Sequence, residues 1–61
     1  MKMSKIHIHT VVEANTITVF YRTRFLGVVM PKLHKAVAVL TEAPPFTDGY
    51  IKENERKLLT P

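Results

Sequence analysis

Lys5, Arg22 and Arg24 are cations of the kind that neutralise phosphate, and His7, His9 and Phe20 carry flat rings that can stack on an unpaired base. These six residues belong to two segments, Lys5 to Val12 and Thr16 to Arg22 with its extension, both rich in branched and aromatic side chains that suit a pleated strand. Their neighbours alternate in a way that assigns them to one surface. With Val12 opposite Ile17, an antiparallel hairpin collects Ile6, Ile8, Thr10, Val12, Ile17, Val19 and Tyr21 on an apolar face. The other face then holds Lys5, His7, His9 and Val11 against Thr18, Phe20, Arg22 and Arg24, with His9 facing Phe20 and His7 facing Arg22. A three-residue loop would mix polar and apolar side chains on both faces, so the first register is preferred. A two-stranded ribbon of this kind fits the DNA major groove, and DNA or RNA is the expected partner.

The histidines allow a second chemistry. His7-Ile8-His9 places two imidazoles on one side of a strand, where a divalent cation could bridge them, with His34 as a distant recruit. Together with Glu13, the spacing His-x-His-x-x-x-Glu resembles the first metal motif of the cupin family over the seven residues His7 to Glu13. That resemblance implies a metal held by His7, His9 and Glu13. The chain departs from the family in lacking the flanking glycines and in being too short for a cupin barrel. The preferred reading is two half-exposed strand histidines, with no metal and no cofactor. Enzymatic machinery is not expected either: there is no Cys, the single Ser is Ser4, no glycine-rich phosphate loop occurs, and the acids are scattered.

Elements must hold these groups in place. Glu13 to Thr16 connects the two strand segments, and Asn15 tolerates the left-handed backbone of a tight reversal. Thr23 to Met30 is an apolar run broken by Gly27, read as a third strand or the bent end of the second. Within it, Phe25, Leu26, Val28, Val29 and Met30 exceed what one small helix can cover, and they form a candidate protein interface. Pro31 suits the first position of a helix, and Leu33, Ala36, Val37 and Leu40 recur at three and four residues, which predicts a helix over 31–43 on the Ile face. The alternative there is a strand, because Val37 and Val39 alternate. Residues 44–61 are read as a proline-containing loop and a C-terminal arm, in which Tyr50 to Leu59 has good helix formers and a Glu53–Lys57 pair.

The whole is expected to be α+β: a small antiparallel β-hairpin or three-stranded meander (5–30), one helix packed on a face, and a C-terminal helix or tail. Sixty-one residues make a single domain, 1–61. A chain this short buries only about 60% of its unfolded surface. Without Cys it has neither disulfides nor Cys-bound zinc to support it, so a homodimer or larger complex is expected. Residues 1–35 hold Lys2, Lys5, Arg22, Arg24, Lys32 and Lys35 against Glu13 alone, a net charge of +5, while the remainder is at −1. Such asymmetry favours a polyanionic partner. No apolar stretch reads as a signal peptide or membrane span, so a cytoplasmic, non-membrane protein is expected. The functional expectation is a small basic, non-catalytic nucleic-acid-binding protein. The alternative is a protein-interaction module or inhibitor acting through Phe25 to Met30 or the C-terminal arm.

Overall fold

A computed structural model describes residues 4–60. They form an antiparallel sheet of four strands and one C-terminal helix, a small α+β fold. The strands are β1 (Ser4–Glu13), β2 (Thr16–Phe25), β3 (Val28–Val29) and β4 (His34–Val39), followed by α1 (Asp48–Leu59). Strand β2 is central. It pairs with β1 on one side, while its other side takes β4 along its first half and β3 along its second. Met30 to Leu33, with Pro31 unable to donate a backbone hydrogen bond, separates the two short strands that share this edge.

Two tight reversals set the ladder. Glu13 pairs with Thr16, so only Ala14 and Asn15 make the first turn, and Ala14 takes the left-handed backbone at φ 50°. Leu26 and Gly27 make the second, with φ of 53° and 77°, positive at both central positions as in a type I′ hairpin turn. Glycine adopts that angle freely. Leucine does not, because its Cβ crowds the backbone there.

The hairpin keeps the register read from the sequence at its closed end, with Val12 opposite Ile17 and Thr10 opposite Val19. It changes further along. His9 pairs with Phe20 and His7 with Tyr21, so Ile8 is the extra residue of a β-bulge. One inserted residue inverts every side chain beyond it. Lys5 and His7 therefore join the face of Ile17, Val19 and Tyr21, and Ile6, opposite Arg22, moves to the other face. This corrects the expected assignment of Lys5, His7, Ile6 and Ile8. The unbroken alternation from Lys5 to His9 gives no local sign of the bulge, but Lys5 and His7 both find polar partners on α1.

The expected helix over 31–43 is instead the short coil after β3 followed by β4. Its burial alternates along His34–Val39 with the period of a strand. The free side of β2 supplies a ladder for Val37 and Val39, and that pairing outweighs the weak helical spacing of Leu33, Ala36, Val37 and Leu40. The layer over the sheet comes from the C-terminal segment. Thr47 caps α1 by accepting the Tyr50 amide at 3.2 Å, Asp48 lies in its first turn, and Arg56 and Lys57 lie in its last, each favourable to the helix dipole. Ile51, Leu58 and Leu59 of this helix, with Tyr50 and Phe46, pack on Ile17, Val19 and Leu40, the buried core. Each such buried aliphatic side chain contributes about 1.5–3 kcal/mol.

Candidate nucleic-acid interface

The sheet face away from α1 is open, and its layout follows from the three registers. Arg24, Arg22, Phe20, Thr18 and Thr16 run down its middle on β2. Beside Phe20 lie His9 on β1 and Lys35 on β4, while Val11 and Val37 flank Thr18. Val29 lies beside Arg24, and Val39 and Glu13 lie beside Thr16. The face is thus divided along its length. One end is cationic, with Arg22, Arg24 and Lys35, and the other is apolar, with Val11, Val37 and Val39 and a single acid at the rim.

Phe20 and His9 meet at the junction, their ring centroids 6.0 Å apart and their planes at 27°. The stack leaves His9 exposed and Phe20 half-buried. Arg22, Arg24 and Lys35 are exposed as well, free of carboxylate partners among the described residues. A polyanion would find here three cations and a two-ring platform. Of the six residues expected to share this surface, His9, Phe20, Arg22 and Arg24 do share it. Lys35 is an addition that the sequence reading missed by assigning it to a helix; the alternation of Lys35, Val37 and Val39 was the available signal.

Lys5 and His7 lie on the other face. The Lys5 ammonium donates to the Leu58 carbonyl at 3.2 Å and stands 5.0 Å from the centre of the Tyr21 ring. Thr10 donates its hydroxyl to Glu55 at 2.7 Å, and His7 Nε2 lies 2.6 Å from that hydroxyl and 3.1 Å from the same carboxylate oxygen. Strand β1 is tied to α1 through these contacts. The three side chains form a clasp between the strand and the helix. A shallow groove of about 650 Å³ runs beside it, lined by His7, Lys52, Glu55, Arg56, Leu59 and Thr60.

The bulge also separates the two imidazoles of the cupin-like spacing. His7 faces Glu55, His9 faces Phe20, and Glu13 sits at the hairpin end of β1 beside Thr16. His34 stacks on Tyr21, with centroids 5.4 Å apart on the helix-covered side. No group of three or more potential His, Cys, Asp or Glu ligands gathers among the described residues.

The residues read as a protein interface cluster at the second turn. Phe25, Leu26, Val28 and Val29 are 37%, 62%, 58% and 47% exposed, and Met30 is half-buried, its amide bonded to the Thr23 carbonyl at 2.7 Å. The other surface considered for protein contact, the C-terminal arm, has its apolar side chains packed against the sheet. No helix of the described chain is long and apolar enough to cross a membrane. Comparison with family models, curated proteins and solved structures finds no match.

Proposed function

We propose that this protein binds single-stranded nucleic acid on the open sheet face and acts by occupying a site rather than by chemistry. The observation that carries the reading is the juxtaposition of Arg22, Arg24 and Lys35 with the stack of exposed His9 on half-buried Phe20 on one sheet face. Cations hold the backbone of the strand, and the rings offer a base a platform that is indifferent to sequence. The third strand argues against the major groove. That groove is about 12 Å wide and admits a two-stranded ribbon, whereas three strands at about 4.8 Å spacing with their side chains exceed it. A flat platform suits a splayed single strand.

The test is fluorescence anisotropy with a labelled single-stranded oligonucleotide and its duplex. Single-stranded DNA or RNA should bind at low salt, more tightly than the duplex. Three neutralised phosphates should give a log–log salt slope of about −2. Arg22→Ala with Arg24→Ala should reduce affinity at least tenfold while circular dichroism stays unchanged. A folded sample that binds neither strand form at low salt would end this reading.

A second reading rests on the turn at Leu26. Phe25, Leu26, Val28 and Val29 form an exposed apolar tip, the pattern of a protein contact surface. Capture of a protein partner that Leu26→Asp abolishes, without nucleic-acid affinity, would favour it.

A further inference from the structure

We infer that the outer edge of β4 pairs with the same edge of a second copy of this chain, forming one continuous sheet about a two-fold axis at Val37. Strand β4 pairs with β2 alone, and no described strand lies on its other side. The direction of its free backbone groups follows from one hydrogen bond. The Leu40 amide donates to the Asn15 carbonyl, on the β2 side, at 2.6 Å. Backbone direction alternates along an antiparallel strand, so the even-numbered residues face β2. Lys35, Val37 and Val39 then offer their N–H and C=O groups outward.

The two edges of this sheet are not equally protected. Natural edges are blunted by bulges, prolines and charges. β1 has a bulge at Ile8 and carries Lys5 and His7. Ala36 to Val39 has no charge, no proline, no glycine and a regular ladder. Lys35 guards only the start of β4, so Ala36 to Val39 is the less protected stretch of edge.

Its own sequence selects a register. Two copies related by a two-fold axis through the sheet must pair outward-facing residues with outward-facing residues. Placing Val37 opposite Val37 of the partner subunit also sets Lys35 opposite Val39 of the partner subunit, in both directions, which uses every outward group in about six hydrogen bonds. Shifting the centre to Ala36 or Ala38 leaves part of this set unpaired. The same register keeps the two Lys35 ammonium groups apart along the strand. On the open face it brings together Val37 and Val39 of both copies, which are 55% and 65% exposed in the single chain. On the helix face it opposes the small residues Ala36 and Ala38 across the centre, and sets His34 opposite Leu40 of the partner subunit at the ends.

The single chain is also extended for its size. It exposes 4597 Å² where a compact chain of 7.0 kDa exposes roughly 4,000 Å². Its radius of gyration is 12.6 Å against about 10.5 Å for a compact chain of this length. Edge-to-edge pairing places both cationic ends on one face of a single sheet, which makes the dimer a longer platform. Strand-to-strand interfaces are small, so the association is concentration-dependent.

The chain has no native Cys, so one introduced thiol reports the geometry. Val37→Cys should oxidise to a covalent dimer, because directly opposed residues have Cα atoms about 5.5 Å apart, within disulfide range. Val12→Cys, on β1, should not. Sedimentation of the unmodified chain without nucleic acid should show twice the 7.0 kDa monomer mass as concentration rises. Val37→Lys should weaken association at least tenfold with unchanged circular dichroism. A monomer at every concentration reached, or cross-linking of Val12→Cys as fast as Val37→Cys, would overturn the proposal. None of these readouts depends on whether nucleic acid binds.

Discussion

A single phenol ties the loop after β4 to the helix that covers the sheet. Tyr50 Oη accepts the backbone amides of Thr41 at 2.9 Å and Glu42 at 3.3 Å, and it lies 3.3 Å from the Thr41 hydroxyl. The Thr41 hydroxyl, aided by these two amides, lowers the Tyr50 pKa from the ordinary 10.0. Donors aimed at the oxygen favour the tyrosinate, so the stabilisation belongs to high pH. It is complete above the unfolded value and is lost as pH falls through the folded one. Alkaline titration followed by tyrosinate absorbance should show one of the two tyrosines ionising early, and Tyr50→Phe should remove that phase and lower the melting temperature. The neighbouring Phe46, its ring 5.9 Å from that of Tyr50, lies in the loop before α1 and packs on the core. Nothing local tells a loop phenylalanine from one that closes a core; the cover provided by α1 decides it.

At the scale of elements, the second turn runs against its own residue chemistry. A type I′ turn favours Asn-Gly, yet Leu26 occupies the first left-handed position with φ 53° and 62% of its surface exposed. Leu26→Asn should therefore stabilise the chain, by about 1 kcal/mol in chemical denaturation, since the left-handed backbone costs an ordinary L-residue about 1–2 kcal/mol through its Cβ and Asn tolerates it better. The elements also show where periodicity is a weak guide. The closed end of the hairpin between β1 and β2 is legible because pairing Val12 with Ile17 separates apolar from polar side chains there, whereas the bulge at Ile8 has no local signal. The run from Leu33 to Leu40 fits both a helical and a strand period, and only the vacant side of β2 resolves it in favour of β4.

For the molecule as a whole, one helix on one face of a sheet leaves a small core: Ile17, Val19 and Leu40 are the buried apolar residues among those described. Stability shared with a second copy depends on protein concentration. The melting temperature of the native sequence should rise with concentration, and that of the Val37→Lys variant should not; differential scanning calorimetry over a concentration series checks this. The sequence by itself determined the class of fold, the pairing of Val12 with Ile17, the helix-forming character of Tyr50 to Leu59 and the concentration of positive charge before residue 36. Each depends on residue type and near-neighbour spacing. Only the tertiary structure decided that Lys5 and His7 turn toward Glu55 and Leu58, that Lys35 joins Arg22 and Arg24, and that residues 34–39 form a strand. A bulge and an edge pairing are choices between nearly equal local alternatives, and contacts with residues distant in the chain, Glu55 for one and Thr16 to Tyr21 for the other, supply the difference in energy.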